Sequence, residues 1–387
     1  MKPSHGFLIL SAAVLAGSLV AACGSSSPPG GTSSSPAASP NATTLDGTRL
    51  QRALDAWVDS AHLVGATAAV VTPDGSWSGA AGKDGTGAAL VPTSAMPIAS
   101  ITKTVTGAEV MLLAQQGKID LDSPVTAYVE VPWDTRGATV RDLLGMRSGF
   151  PGLEDPVLLP KVAADLKARW TNAQLVALVD PAGPRIGTRG APTTGDMSTW
   201  YNSVNFDLLA MVIEKVTGTS AAAAIRRDLL VPLGLERIWW QPDEKPTAPL
   251  AAVLDDPVRK LADPSSGYLP SIAWGSAMGG GGCMAADAPT LAAWGAALYT
   301  AHAVPQSVVD EMIGVAPDGY GLATARMVLD DGSLLLGHLG DARIAGSLLL
   351  HWPATGVTVV VLVPQGLGDE PPTPAFAEEL AALAQFA

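Results

Sequence analysis

Ser100 and Lys103 have the residue types and the spacing that a serine nucleophile and its base require. They stand three positions apart at the start of a predicted helix over residues 100–116, so their side chains share one face. A lysine in a low-dielectric site loses its proton more easily, and the neutral amine can accept the proton of a serine hydroxyl. The only charges in this helix are Lys103 and Glu109, which predicts that the helix is buried on nearly all sides.

The same two residues also have a purely structural interpretation. A serine at a helix start often caps the helix, and a lysine often extends its charged end into water above an apolar stem. The four-residue motif is short enough to occur by chance. Spacing alone therefore leaves both interpretations open.

Secondary-structure patterns at both ends of the chain predict the elements that must hold this pair. Helical spacing covers residues 45–61 and 374–386, and alternating or apolar runs predict strands over 64–72, 76–82, 320–329, 333–339, 344–352 and 357–363. The region between the two ends reads as helices and Gly/Pro-rich loops. The expected fold class is α/β, with an antiparallel sheet flanked by N- and C-terminal helices and a large helical insertion.

Composition excludes several classes of protein. The chain has 387 residues, 48% of them hydrophobic and 15% charged, and its net charge of -13 gives no electrostatic support for binding nucleic acid. Its two cysteines, Cys23 and Cys283, cannot build a disulfide framework, and no Cys/His cluster has zinc spacing. We expect no metal and no cofactor. Cys283 is interpreted as a small buried apolar residue rather than a reactive thiol.

The N-terminal segment is typical of an exported lipoprotein. A lysine precedes an apolar run over residues 7–22, and the run ends in V-A-A before Cys23. This ending resembles a bacterial lipobox, which predicts residues 1–22 as a signal peptide and Cys23 as the lipidated residue; plain secretion is the alternative. Residues 23–44, rich in Ser, Pro and Gly, would form a tether. The expected location is extracytoplasmic, anchored to the cell membrane.

Longer stretches around Ser100 decide between the two interpretations. Residues 97–104 read PIASITKT and 117–124 read GKIDLDSP; L-L and S-G-F follow within 143–150, VIEKVTG over 212–218 and a glycine run over 279–282. In this order they resemble the penicillin-recognising serine hydrolases, which include class C β-lactamases, D-alanyl-D-alanine carboxypeptidases and related esterases. The resemblance covers residues 45–387 and implies a β-lactamase-like domain, with its α/β part over 45–98 and 299–387 and its helical part over 99–298.

The resemblance also implies roles for residues far from Ser100. Tyr201 stands where the family has the tyrosine of its Tyr-x-Asn element, as a second proton carrier. His338-Leu339-Gly340 stands where other members have Lys-Thr-Gly or His-x-Gly. His338 would act as a cation or a hydrogen-bond donor near Tyr201 and the leaving group. Without the family, Tyr201 would be interpreted as an aromatic anchor and His338 as a half-exposed strand residue.

Three residues concern substrate contacts. Gly340 would leave room for a substrate backbone along the strand edge, and the backbone N–H groups of Ser100 and Asp341 would form the oxyanion hole. Ser203 replaces the usual Asn of the tyrosine motif and has a shorter reach toward a substrate amide. Asp341 is an unusual residue at its position, and its carboxylate would disfavour substrates whose own carboxylate binds there, unless strand alternation turns the side chain away.

The sequence thus predicts an extracytoplasmic serine hydrolase that forms an acyl-enzyme with an amide or ester donor. Its partners would be a small-molecule or peptide substrate and, through the N-terminal lipid, the membrane; the oligomeric state stays open. The alternative is a catalytically silent envelope protein of the same fold that binds cell-wall peptide without turnover, suggested by Ser203 and Asp341.

Overall fold

The computed structural model describes residues 45–385 except for 154, 255–259, 315–318, 330–331 and 368–372. The predicted signal peptide, Cys23 and the tether lie outside the described residues. The helices, in chain order, are α1 Gly47–Ser60, α2 Thr102–Gln115, α3 Val140–Leu144, α4 Asp155–Ala164, α5 Asn172–Leu178, α6 Val204–Thr217, α7 Ala221–Ile225, α8 Ile272–Ala277, α9 Ala288–Tyr299, α10 Gln306–Gly314 and α11 Thr373–Gln385. The strands are β1 Gly65–Thr72, β2 Gly75–Gly82, β3 Met96–Pro97, β4 Ile238–Trp240, β5 Met284–Ala286, β6 Gly319–Tyr320, β7 Ala325–Val328, β8 Leu334–Asp341, β9 Gly346–Trp352 and β10 Val357–Val363.

The two ends of the chain meet in one antiparallel sheet of seven strands, in the order β2-β1-β10-β9-β8-β7-β6. Strand β1, near the start of the described chain, pairs with β10, near its end, with Val70 opposite Val359. The predicted α/β fold with an antiparallel sheet and terminal helices is confirmed. How the chain divides between an α/β part and a helical part stays a prediction.

Helices cover both faces of the sheet, which explains why β10 is apolar throughout. Val359 and Val361 pack in one hydrophobic cluster with residues of α1 and α11, while Val360 and Leu362 belong to a second cluster that includes α9. Successive strand residues point to opposite faces, so a strand covered on both faces reads as a continuous apolar run. The rings of Trp57 and Phe376 stack at 4.3 Å and join the two terminal helices.

The predicted single strand over residues 320–329 was wrong, because it is broken into β6 and β7. The residues between them turn inward: Leu322 N–H donates to Met312 O at 2.8 Å, and Ala323 N–H donates to Leu144 O at 2.9 Å. These hydrogen bonds go to the helical region and replace ladder bonds with a neighbouring strand. The sequence analysis also missed the small sheet in the order β3-β5-β4.

No single helix among the described residues is long and apolar enough to cross a membrane; one bent pair, Val204–Thr217 with Ala221–Leu230, passes on length and composition alone.

Candidate active site

Ser100 lies in a short 3₁₀ turn, Ala99–Ile101, immediately before α2. Ala99 has a φ of 45°, a left-handed conformation that is uncommon for alanine. Such a conformation persists only where the surrounding structure stabilises it. The sheet supplies that support, because Ser347 Oγ donates to Ile98 O at 2.8 Å. Ser100 makes no side-chain cap to α2, so the capping interpretation was wrong.

Lys103 points inward from the first turn of α2 and is fully buried. Its Nζ lies 3.0 Å from Ser100 Oγ and donates to Gly281 O at 2.7 Å. Burial lowers the pKa of this amine to about 7, against the opposing effect of the Asp207 carboxylate. The alternative of a charged end extended into water is therefore wrong. At neutral pH a large share of Lys103 is a free amine within hydrogen-bond distance of the serine hydroxyl.

Tyr201 covers this pair from the segment that leads into α6. The centre of its ring lies 5.0 Å from Lys103 Nζ, and its hydroxyl is buried with no hydrogen-bond partner among the described residues. Burial raises the pKa of the phenol; the adjacent Ser100 hydroxyl opposes the rise and the Asp341 carboxylate adds to it. Tyr201 thus keeps its proton near neutral pH, which suits a proton donor better than a base.

His338 is buried in β8 beside Tyr201, with 6.0 Å between the ring centres, so the half-exposed interpretation was wrong. Its Nδ1 donates to Leu339 O at 2.5 Å, and its Nε2 lies 3.1 Å from the Tyr320 hydroxyl. A carbonyl only accepts, so Nδ1 carries the proton and Nε2 accepts from Tyr320. Burial lowers the pKa of His338 to about 3, and the charge of Lys103 adds to this effect. The structure favours neither role predicted for His338: burial keeps the ring uncharged, and its one N–H is donated to Leu339 O, which leaves no donor for Tyr201 or the leaving group.

Tyr320 is a site residue that the sequence analysis did not identify. It is buried, and its ring contacts the edge of Tyr201 at 6.2 Å as well as hydrogen-bonding His338. Tyr201, Tyr320 and His338 come from three separate stretches of chain, so nothing in the local pattern around Tyr320 indicates this contact.

We expect Tyr320→Phe to lower the free energy of unfolding by about 1–3 kcal/mol, because the buried Nε2 of His338 loses its donor. Denaturant unfolding of wild type and variant measures the change. Tyr299→Phe is the matched control, since Tyr299 is a buried tyrosine that hydrogen-bonds Thr324 away from Ser100 and Lys103. An unchanged stability in Tyr320→Phe would contradict the assigned hydrogen bond. Acylation of Ser100 should fall more in Tyr320→Phe than in Tyr299→Phe.

Ser203 directly precedes α6, and its side chain is exposed and makes no cap hydrogen bond. The asparagine amide of this motif stands one position earlier, at Asn202, and is used internally. Its Nδ2 donates to Phe150 O at 3.1 Å and to Pro151 O at 3.2 Å, and its Oδ1 accepts from Val204 N–H. Asn202 therefore holds the loop under Tyr201, and a substrate contact of Ser203 stays a prediction.

Gly340 brings strand β8 against the turn that carries Ser100. A Cβ atom at Gly340 would lie 2.1 Å from Ser347 Oγ and 2.4 Å from Ile98 O. The space on the Cβ side of Gly340 is thus filled by the protein, and its role beside a substrate backbone along the strand edge stays a prediction. The pairing of β8 with β7 covers residues 334–337 of β8, so residues 338–341 extend beyond that ladder next to Ser100.

Asp341 ends β8 and directs its carboxylate toward an exposed ion-pair network. Asp341 Oδ1 accepts from Arg343 N–H at 2.6 Å, and Arg343 also pairs with Asp155 at 3.0 Å. Among the described residues, two carboxylates pair with the guanidinium of Arg343 at this edge of the site. The backbone N–H groups of Ser100 and Asp341 remain the predicted oxyanion hole.

No group of three or more His, Cys, Asp or Glu residues suited to a metal ion occurs among the residues that the structure describes. Cys283 is buried as predicted, and burial raises the pKa of its thiol.

Comparison with known proteins identifies the family. The family model for Beta-lactamase matches residues 50–384, which is most of the chain. The chain belongs to the β-lactamase family. This confirms the predicted membership of the penicillin-recognising serine hydrolases.

Solved structures and curated relatives of the β-lactamase family extend the comparison. A D-stereospecific amidohydrolase from Streptomyces sp. is 28% identical, with a TM-score of 0.71 over 86% of this chain and 98% of that chain. D-amino acid amidase from Ochrobactrum anthropi SV3, complexed with L-phenylalanine, is 22% identical with a TM-score of 0.74 over 88% and 99%, which shows the fold. Penicillin-binding protein 4 from Amycolatopsis lactamdurans is 29% identical over 51% of this chain. The chain spans between 27% and 50% of the length of the curated relatives that it matches.

Proposed function

We propose that this protein is an extracytoplasmic serine hydrolase that cleaves an amide or ester through an acyl-enzyme on Ser100. The observation that carries the proposal is the fully buried Lys103 amine, 3.0 Å from Ser100 Oγ, with its pKa lowered to about 7 by burial. An amine that is largely neutral at physiological pH is able to act as the base for the serine hydroxyl.

The proton transfers follow from the protonation states of the two candidate carriers. Neutral Lys103 takes the proton of Ser100 as Oγ bonds to the substrate carbonyl carbon. The negative charge that develops on the carbonyl oxygen is stabilised by the backbone N–H groups of Ser100 and Asp341. Tyr201, kept protonated by burial, gives its proton to the leaving nitrogen or oxygen, and the proton held by Lys103 then replaces it. Water releases the acyl group from Ser100 in a second addition and elimination.

The charge at the edge of the site bears on the substrate. In the part of the chain that the structure describes, both Asp341 and Asp155 pair with Arg343, so a free carboxylate on the leaving group would be repelled by two carboxylates there. Ser203 also offers a shorter contact to a peptide-like acyl chain than the family's asparagine does. These features favour amides and esters over peptides that end in a free carboxylate. The similarity to a D-stereospecific amidohydrolase from Streptomyces sp. makes amides with a D-configured acyl group the first substrates to test.

The proposed location rests on the sequence alone. The V-A-A-Cys23 ending and the Ser/Pro/Gly-rich residues after it support export and lipidation of Cys23, which would tether the hydrolase domain to the outer face of the cell membrane. Metabolic labelling with an alkyne fatty acid, in wild type and in Cys23→Ala, tests this step separately from catalysis. Incorporation that persists in Cys23→Ala would contradict it.

Covalent labelling of the full chain tests the hydrolase proposal. We expect a fluorophosphonate or a fluorescent penicillin to label wild type at Ser100, as located by mass spectrometry of the digest. Ser100→Ala should abolish the label, and Ser60→Ala, on the far terminal helix α1, should retain it. Parallel turnover assays use D-amino acid amides, D-alanyl peptides, cephalosporins and short-chain esters. No adduct with either probe and no turnover would overturn the proposal and favour the catalytically silent binding protein.

A further inference from the structure

Asp207 is a buried acid that the mechanism above does not use. It lies in the first turn of α6, its side chain is only 5% exposed, and its Oδ1 has no hydrogen-bond partner among the described residues. An unpaired buried carboxylate destabilises a fold unless another group compensates its charge. Its burial therefore requires a reason.

A turn of three glycines separates Asp207 from Lys103. The turn is Gly279–Gly281. Because its residues have no side chains, neighbouring groups approach the turn closely on both sides. A Cβ at Gly279 would lie 2.0 Å from Asp207 Oδ1, and a Cβ at Gly281 would lie 3.0 Å from Lys103 Nζ. The Gly281 carbonyl accepts from Lys103 Nζ, and the Gly280 N–H donates to Asn172 Oδ1 at 2.9 Å. The turn thus packs directly against the carboxylate and the amine.

Among the described residues around the Gly279–Gly281 turn, Asp207 and Lys103 are the groups whose pKa lies near neutral pH. Burial raises the pKa of Asp207 to about 7, and the charge of Lys103 opposes that rise. Other titratable groups face the pair. Tyr201 lies over Lys103, the charge of Lys103 lowers the pKa of His338, and the charge of Asp207 raises the pKa of Cys283. Burial keeps all three of these uncharged at neutral pH.

We propose that Asp207 is a positioning residue for Lys103: acting across the Gly279–Gly281 turn, its carboxylate holds the amine at Ser100 and decides how readily that amine gives up its proton. The inference rests on the proposed function in that it assigns Lys103 as the base. It adds a second ionisable group. When the amine of Lys103 is free, the carboxyl group of Asp207 holds a proton, so neither member of the buried pair is charged. Coupled groups of this kind titrate as a pair.

The pH dependence of Ser100 acylation in Asp207→Asn tests the proposal. A negative carboxylate favours the protonated amine, so its removal makes Lys103 lose its proton at lower pH. We expect the acid limb of the fluorophosphonate labelling rate to move to lower pH by about one unit or more. A purely structural role would lower the stability or the plateau rate and leave the limb in place.

Glu109→Gln is the matched control. Glu109 is also buried in α2, and its charged neighbours are Asp228, Arg227 and Lys118 rather than Lys103. Burial raises the pKa of Glu109 to about 8, so glutamine resembles its prevailing protonated form. The acid limb of this variant should coincide with that of wild type.

A direct titration separates failure of this inference from failure of the proposed function. The 13Cε resonance of Lys103, assigned by its loss in Lys103→Met, is followed against pH in protein with labelled lysine and aspartate. We expect its midpoint near neutral pH in wild type, with a lower midpoint in Asp207→Asn, whether or not any probe labels Ser100. An unchanged lysine midpoint in folded Asp207→Asn overturns the inference.

Wild type alone decides the matter if Asp207→Asn does not fold. A side-chain carboxyl resonance of aspartate that titrates together with Lys103 near neutral pH supports the pair. Aspartate resonances that all titrate in the ordinary acidic range, independently of Lys103, overturn it.

Discussion

Lys103→Met is expected to lower the rate of Ser100 acylation by about 10²- to 10⁴-fold, the range that a positioned general base contributes. Methionine keeps an unbranched side chain at this buried position but has no amine to accept the serine proton. In wild type the rate should rise with pH through about 7, because the free amine is the reactive form and burial lowers the pKa of Lys103 to that value. The variant should lose this limb of the profile.

Stopped-flow or gel-based labelling with a fluorophosphonate at several pH values measures both effects. Thermal unfolding shows whether the variant is folded. This control is needed because Gly281 O loses the donor that it has in wild type. Lys118→Met is the control, since Lys118 lies in an exposed segment just after α2. If folded Lys103→Met is labelled at the wild-type rate, Lys103 is not the base.

Gly340→Ala is expected to destabilise the protein by about 1–3 kcal/mol and to impair acylation as well. The added methyl group would lie 2.1 Å from Ser347 Oγ and 2.4 Å from Ile98 O. Both are parts of the contact that fixes the turn before Ser100, since Ser347 Oγ donates to Ile98 O. To accept the methyl group, β8 must move away from the Ala99–Ile101 turn, which also displaces the predicted oxyanion hole.

Gly75→Ala is a suitable control, because Gly75 is also in a strand and nothing lies within 4 Å of its Cβ position. Its free energy of unfolding should change by less than about 1 kcal/mol. Denaturant unfolding and the labelling rate are measured on the same preparations. Wild-type stability and labelling in Gly340→Ala would show that the close contact between β8 and the Ser100 turn does not constrain the site.

The sequence by itself determined the local geometry and the family. Ser100 and Lys103 share a face because of helical spacing, and the paucity of charge in this helix predicted the burial of Lys103. The apolar runs near both ends predicted the central strands, and the ordered motifs predicted a fold that the family match and the structure confirm. These features depend on residues that are close in sequence or on motifs that keep their order along the chain.

The tertiary structure decided which distant groups surround this pair. Gly281 accepts a hydrogen bond from Lys103 over a separation of 178 residues, and Tyr320 reaches His338 through the folding of β6 toward β8. Side-chain type gives no signal for such contacts, because they depend on how loops and strands pack in three dimensions. The same packing removes water from Lys103, Asp207 and His338. Their protonation states, and hence the division of roles in the site, follow from burial that no short stretch of sequence specifies.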